Sequence, residues 1–172
     1  MLNNANMISK VYFPRITIPV SSIIVSLVDF LISLVLLSLI MLWYGFMPSP
    51  RILLLPLFTL IAISASLGGG LWIAALNVKY RDFRYIVPFV VQFGLYVSPV
   101  GFSSNVVPDS WRFVYSLNPM VGVIDGFRWA ILGGESQLYL PGFILSIVTV
   151  IIILMSGYLY FRKTERIFAD VI

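Results

Sequence analysis

The side chains that most enzymes use for chemistry are absent from this chain. It contains no His and no Cys, so the usual residues for binding zinc, haem or iron–sulfur clusters, for thiol catalysis and for Ser–His pairs are missing. Its lysines (Lys10, Lys79 and Lys163) lie outside any Gly-x-x-x-x-Gly-Lys-Ser/Thr pattern, so the chain carries no phosphate-binding P-loop. We therefore expect no catalytic residue, no metal site and no cofactor. If ATP drives its function, another polypeptide binds it.

Four aromatic residues recur at helical spacing in one apolar segment. Tyr85, Phe89, Phe93 and Tyr96 are separated by four, four and three residues, which places them along one face of a helix. Gln92 lies on an adjoining edge of that face. Because aromatic rings offer apolar surfaces on which sugar rings can lie, the stripe is a candidate substrate path for a glycan. Packing against lipid or a neighbouring helix explains the same pattern, and from the sequence alone it is favoured.

Asp29 is an acid within an apolar segment. An ionisable group at membrane depth indicates a functional site by default, and a proton relay is the obvious form. A relay needs a series of titratable partners, and the other apolar segments contain neither an acid nor a His. A polar contact within a helix bundle, or a position near the membrane interface, is therefore the favoured interpretation.

The elements that position these residues are membrane helices. The chain of 172 residues is 60% hydrophobic and only 10% charged, with a mean hydropathy of +1.01, whereas soluble domains are about 45–50% apolar and about 25% charged. An apolar helix of about 20 residues crosses the hydrocarbon core of a bilayer. The predicted fold class is therefore an all-α integral membrane protein with four transmembrane helices. The predicted spans are Ile18–Phe46, Leu53–Asn77, Tyr85–Phe102 and Leu140–Tyr160.

The distribution of basic residues predicts the orientation. Eight of them fall at the amino end, in the connection between spans two and three, and in the tail: Lys10, Arg15, Lys79, Arg81, Arg84, Arg162, Lys163 and Arg166. Three fall on the opposite side: Arg51, Arg112 and Arg128. By the positive-inside rule, both termini, with a lead-in at 1–15 and a tail at 162–172, are expected in the cytoplasm. The net charge of +4 thus reflects topology rather than nucleic-acid binding.

The stretch 103–134 is neither a span nor an ordinary loop. Pro108-Asp109 and Asn118-Pro119 each indicate the start of a helix. The second helix would end at Gly133-Gly134 after about 15 residues, or about 22 Å, which is too short to cross a bilayer. We therefore expect a short extracytoplasmic re-entrant hairpin before the last span. Asp125 and Arg128, three residues apart on it, are expected to pair.

Small residues crowd the second span, around the triple glycine Gly68-Gly69-Gly70. Small residues four apart let helix backbones approach closely. The expected role is helix packing, with some unwinding at the triple glycine.

Six short blocks follow one another along the chain. They are NMISKVYFPR (6–15), NVKYRD (77–82), VPDSWR (107–112), LNPM (117–120), IDGFRW (124–129) and ERIFAD (165–170). Each block is weak alone, but the ordered set resembles the permease subunit of ABC-2 type polysaccharide exporters. That family exports O-antigen, capsule and teichoic acid.

The resemblance implies a transport subunit rather than an enzyme. Family permeases resemble a six-span protein with an amphipathic amino-terminal helix, so this chain would correspond to the last four spans and lack the amino-terminal part. The resemblance further implies a homodimer in the cytoplasmic (inner) membrane, surrounded by lipid and driven by a separate ABC ATPase that hydrolyses ATP. The substrate would be a lipid-linked polysaccharide.

The resemblance also suggests site residues beyond the aromatic stripe. The hairpin would act as an extracytoplasmic gate, with Trp111, Asn118, Pro119, Asp125 and Arg128 as its candidate residues. The cytoplasmic loop would face the ATPase through Lys79, Tyr80, Arg81 and Asp82. The loop's role as a positive topological anchor is expected in either case.

Three alternatives remain open from the sequence. An ABC-2 permease for a smaller hydrophobic or lipid-like substrate would share the same features. A membrane enzyme acting on polyprenyl-linked sugars is a distant third hypothesis. Such enzymes need a cluster of acids or His, whereas the seven acids of this chain are scattered. A membrane-bound anchoring or assembly protein is the fourth hypothesis.

The orientation can be tested by cysteine labelling, since the chain has no native Cys. Tyr80→Cys and Lys163→Cys should react with a membrane-impermeant maleimide only from the cytoplasmic side. Ser110→Cys and Ser136→Cys should react only from outside. Labelling of Tyr80→Cys from outside would overturn the orientation.

Overall fold

The computed structural model describes residues 16–80, 82–133 and 138–165. Within these ranges the chain forms helices and connecting turns, with no strand. In order, the helices are α1 (Thr17–Trp43), α2 (Leu55–Lys79), α3 (Phe83–Val97), α4 (Asp109–Tyr115), α5 (Pro119–Leu132) and α6 (Leu140–Glu165). Short 3₁₀ turns at Pro50–Leu54 and Ser104–Val106 precede α2 and α4. The lead-in at 1–15, Arg81, Gly134, Ser136 and the tail beyond Glu165 lie outside the described residues.

In the described part of the chain, three helical stretches are long and apolar enough to cross a membrane: Pro19–Trp43, Pro50–Lys79 and Leu140–Glu165. The third predicted span, α3, has only 15 residues, or about 22 Å of helix, against a hydrocarbon core of about 30 Å. The all-helical membrane class is thus confirmed, while the count of four spans stays a prediction.

The predicted end of the third span at Phe102 is wrong, because α3 stops at Val97. Ser98 is extended, with ψ 149°, and Pro99 follows it. A residue before proline is pushed out of the helical region by the proline ring. The apolar pattern continues past this point, but the helix does not.

The other helices follow the predicted spans with shifted ends. α1 ends at Trp43 rather than Phe46, since the chain turns at Gly45 with a positive φ of 66°. α6 continues beyond Tyr160 to Glu165. Its last turn contains Arg162 and Lys163, and positive charges stabilise the carboxyl end of a helix. α2 is continuous through Gly68-Gly69-Gly70, so the expected unwinding is wrong.

α2 and α6 meet backbone to backbone. A Cβ added at Gly68 would lie 2.7 Å from the Cα and N of Leu154, and one at Gly157 would collide with the carbonyl oxygen of Gly68. Next to this contact, Trp72 stacks on Tyr160 with ring centroids 4.5 Å apart, and its indole Nε1 donates to Ser156 Oγ at 3.0 Å. Close glycine-mediated approach and an interhelical hydrogen bond are the interactions that hold helices together in lipid.

Helix α5 packs onto this pair through a cluster of aromatic rings. Phe58 of α2 is only 2% exposed and lies 5.9 Å from the ring of Phe127 on α5 and 5.7 Å from Phe143 on α6. The ring of Phe30 on α1 also lies near that of Phe127, with centroids 5.6 Å apart. The short helix of the predicted hairpin is therefore fixed to the core of the long helices.

The close approach of α2 and α6 predicts unequal effects of alanine at two neighbouring glycines. Gly68→Ala should destabilise the protein by about 1–3 kcal/mol, the typical cost of overpacking, because its methyl group would meet the α6 backbone. Gly69→Ala, whose methyl group would meet nothing within 4 Å, should be neutral. Thermal unfolding of the purified protein measures both, and equal losses would contradict the packing described.

Candidate functional site

The aromatic stripe lies on one exposed face of α3. Tyr85, Phe89, Phe93 and Tyr96 are between 61% and 73% exposed, and Gln92 beside them is exposed as well. Phe89 and Phe93 stack with ring centroids 6.3 Å apart. The five residues therefore form one outward surface and do not pack into the core of the described helices.

The segment that follows α3, residues 98–104, is held by one side of α5. We call it the exit segment. Asn118 Nδ2 donates to Ser98 Oγ at 3.0 Å, and Arg128 donates to the carbonyl oxygens of Val100, at 3.0 Å, and Phe102.

The last of these contacts reaches the end of the exit segment. Ser104 Oγ donates to Asp125 Oδ1 at 2.8 Å. Every second residue from Ser98 to Ser104 thus bonds to α5, which fixes the carboxyl end of α3 relative to the hairpin.

Asn118 joins two elements through its two amide atoms. Its Oδ1 accepts from the backbone N–H of Met120 at 3.0 Å, which caps α5, while its Nδ2 bonds Ser98. Pro119 takes the first helical position, where its missing N–H costs nothing. The helix start predicted from Asn118-Pro119 is therefore confirmed, and so is the start at Asp109.

The expected pairing of Asp125 with Arg128 is wrong. Each side chain turns to the exit segment instead, Asp125 to a hydroxyl and Arg128 to two carbonyl groups. Arg112, on α4, instead forms a salt bridge with Asp109, at 3.1 Å. Asp109 is 91% exposed at its side chain, so this pair contributes little to stability.

Burial shapes the titration of Asp125. Desolvation raises its pKa above the usual range, while the Ser104 hydrogen bond and the charges of Arg128 and Arg112 lower it in part. The nearby Tyr115 hydroxyl is buried and has no hydrogen-bond partner in the part of the chain that the structure describes. Its pKa is also raised, first by burial and then by the charge of Asp125. Burial is thus the leading cause of the raised pKa at both groups.

The remaining predicted residues are not brought to this cluster. Trp111 on α4 is exposed and makes none of these side-chain bonds. Lys79 ends α2, with its ammonium group 5.2 Å from the centre of the Tyr80 ring, and Asp82 precedes the first residue of α3. These three loop residues are exposed, as an ATPase-facing role requires.

Asp29 is exposed on α1. Its backbone carbonyl accepts from Ser33 Oγ at 2.9 Å, but its carboxyl group forms no hydrogen bond or salt bridge within the described residues. Nor do the described residues contain a group of three or more acids that could hold a metal ion.

Sequence reasoning missed the exit segment and its partners. Ser98 and Ser104 carry the contacts to α5, yet serines in a loop give no signal of this kind. Asn118 is the residue that could have indicated such a contact. An asparagine that caps a helix with its amide oxygen still has its amide nitrogen free to bond a second partner.

Comparison with known proteins places the chain in a family. Residues 5–132 match the family described as ABC-2 type transporter, which is well over half of the chain. The chain belongs to the ABC-2 type transporter family. The family resemblance stated from the sequence blocks is thereby confirmed, and with the three long apolar helices it establishes a multi-pass membrane protein.

The chain is also similar to three proteins named O-antigen export system permease protein RfbA. Two are from Klebsiella pneumoniae and are 27% and 26% identical over 176 residues, each covering 98% of this chain and 65% of the relative. The third, from Myxococcus xanthus, is 28% identical over 125 residues, covering 72% of this chain and 48% of the relative. The chain thus spans about two thirds of the length of the Klebsiella relatives it matches.

The environment of Asp125 in this ABC-2 membrane domain predicts a pH-dependent stability. A carboxyl group whose pKa is raised on folding destabilises the native state as pH rises from about 4, its value when unfolded, through the raised pKa. The melting temperature should therefore fall over this window in the wild type. Asp125→Asn, which keeps an acceptor for Ser104, should flatten the fall.

The matched control for this measurement is Asp109→Asn, on the exposed end of α4, which should leave the slope of melting temperature against pH unchanged. An Asp125→Asn variant with the wild-type slope would contradict the environment described.

Proposed function

We propose that this chain belongs to the membrane-embedded permease of an ATP-driven exporter of lipid-linked polysaccharide. The observation that carries the proposal is the alignment of 98% of the chain with a protein named as an O-antigen export permease. The exporter lies in the cytoplasmic (inner) membrane, with both chain termini in the cytoplasm as the distribution of basic residues indicates. The chain is a transport subunit and not an enzyme.

The exposed face of α3 is the proposed path of the glycan. Its four aromatic rings form a row with Gln92 alongside, and the rings of Phe89 and Phe93 stack with their centroids 6.3 Å apart. Apolar ring faces can contact the C–H faces of sugars without holding them by directional bonds, so a chain can slide along them. The outward position of all four rings leaves them free for this contact.

The hairpin is the proposed extracytoplasmic gate. α5 is anchored to the core by Phe127, and Asn118, Asp125 and Arg128 tie it to the carboxyl end of α3. A movement that opens the path at this end must therefore move or break the contacts to the exit segment. Trp111, exposed on α4, and Pro119, the first residue of α5, complete the proposed gate.

Two kinds of protein partner follow from this proposal. A separate ABC ATPase supplies the energy, because the chain has no P-loop, and it docks on the loop formed by Lys79, Tyr80, Arg81 and Asp82. A second copy of the permease completes the channel. Lipid cannot form hydrogen bonds with the polar groups of a hydrated polymer, so protein must surround it. The four longest described helices of one copy are too few to do so.

A second candidate function is favoured by a groove between α1 and α2. It has a volume of about 600 Å³ and is lined mainly by apolar side chains, among them Phe30, Ile63 and Ile73. Such a groove suits the export of a smaller hydrophobic or lipid-like substrate. The glycan proposal ranks first because the relatives are named as permeases of O-antigen export systems.

The proposed path predicts a selective loss of export. In a strain that lacks its own permease and contains the ATPase, Phe93→Ala or Tyr96→Ala in the assembled exporter should reduce surface polysaccharide roughly three- to tenfold. This is the factor that corresponds to about 0.7–1.4 kcal/mol of aromatic contact. The amount of permease in the membrane should not change.

Val90→Ala is the matched control, since Val90 lies on the same helix and is 55% exposed but lies off the stripe. It should change neither export nor abundance. Equal loss of protein from all three variants would favour packing over transport. Unchanged polysaccharide in Phe93→Ala and Tyr96→Ala, with export of a small hydrophobic substrate, would favour the second candidate.

A further inference from the structure

A polar cavity lies between the 3₁₀ turn at Ser104–Val106, the helices α4 and α5, and the start of α6. Its volume is about 640 Å³, within the range of about 300–1,000 Å³ typical of small-molecule sites. None of its lining residues belongs to α3, so it is separate from the aromatic stripe. The exit segment's last contact, the bond between Ser104 and Asp125, joins two of the cavity's lining residues.

The walls of the cavity combine polar groups with aromatic rings. Asn105, Arg112 and Asp125 contribute an amide, a guanidinium and a carboxyl group, while Tyr139 and Phe143 contribute rings. The three polar groups come from three different elements and converge because α4 and α5 are both anchored to α6. Ser146 Oγ, for example, donates to the carbonyl of Ser116 at the end of α4 at 3.0 Å.

The charges on the walls are balanced. Arg112 is paired with Asp109 at 3.1 Å and donates to Asn105 Oδ1 at 3.5 Å, and the Asp125 carboxyl accepts from Ser104. An anion such as phosphate would find one cation already engaged and a carboxyl group beside it. Among the described lining residues a metal ion would find a single carboxyl group, which is too few ligands for a divalent cation. A lipid chain would have to bury polar groups without partners.

We propose that this cavity binds one neutral sugar residue of the exported glycan, with hydroxyl groups bonded to Asn105, Arg112 and Asp125 and a ring face against Tyr139. Sugar hydroxyls both donate and accept, so they match a wall that offers an amide, a guanidinium and a carboxyl group together. Tyr115 belongs to the same wall, and its hydroxyl is buried without a hydrogen-bond partner among the described residues. The inference rests on the proposed function and adds a second glycan contact, next to the gate.

The test uses a cysteine reporter on an apolar wall residue. Leu138→Cys places a thiol in the cavity and keeps every polar group, while Val106→Cys, at a position 75% exposed and outside the lining, is the control. The full chain is purified in lipid nanodiscs. The rate of maleimide labelling is then measured with millimolar glucose, galactose, mannose, N-acetylglucosamine or N-acetylgalactosamine, and with glucuronate and inorganic phosphate.

At least one neutral sugar should slow the labelling of Leu138→Cys several-fold and leave that of Val106→Cys unchanged. Glucuronate and phosphate should slow neither. Absence of protection by every neutral sugar, or protection by phosphate, would overturn the proposal.

A variant of a residue proposed to bond the sugar distinguishes sugar binding in the cavity from an unrelated change in protein conformation. Adding Asn105→Ala to the Leu138→Cys reporter should raise the sugar concentration for half-protection by up to about tenfold, the loss expected for one hydrogen bond. Adding Ser110→Ala, on an exposed part of α4, should not raise it. Equal half-protection in both would contradict the assigned contact.

The outcomes distinguish this inference from the function on which it rests. The labelling experiment needs neither ATPase nor export. If no sugar protects the reporter while Phe93→Ala still lowers surface polysaccharide, the cavity assignment fails and the exporter remains. If a sugar protects it while the α3 variants export normally, the proposed path fails and the cavity stands as a sugar site.

Discussion

The backbone contact between α2 and α6 is the constraint on which the rest of the structure depends. In lipid there is little hydrophobic drive between helices, so close van der Waals packing has to hold them. Gly68 and Gly157 allow this packing because a side chain at either position would meet the opposite backbone. The aromatic rings around Phe58 then pack α5 against both helices. The polar side of α5 in turn holds the exit segment, and through it the carboxyl end of α3.

This order of dependence divides the helices into two groups. α2, α5 and α6 bury their side chains against one another, with Phe58, Val123 and Val150 in a common core. α1 and α3 instead expose long apolar faces. α6 buries one side in this core and exposes apolar residues such as Ile144 and Val148 on the other. The rigid group provides the frame against which α1 and α3 are positioned.

The sequence predicted the helices well where local chemistry decides the structure. Asp109 and Pro119 begin helices as their capping and proline signals indicated. The failures occur where a distant segment competes with a local one. Spacing pairs Asp125 with Arg128 on the helix surface, but the carbonyl groups and hydroxyl of the exit segment bond them instead. The glycines of α2 stay helical because α6 packs on Gly68. The polar cavity could not be predicted, because its walls come from residues as far apart as Ser104 and Phe143.

In the proposed function, a sugar chain passes along the aromatic face of α3. Photocrosslinking during export tests it most directly, with p-benzoylphenylalanine in place of Phe93 and, as the control, in place of Val148, an exposed residue of α6. The account predicts that permease carrying the probe at Phe93 becomes covalently linked to glycan when the ATPase is active, and that permease carrying it at Val148 does not. Equal capture at both positions, or none at Phe93 while export continues, would contradict it.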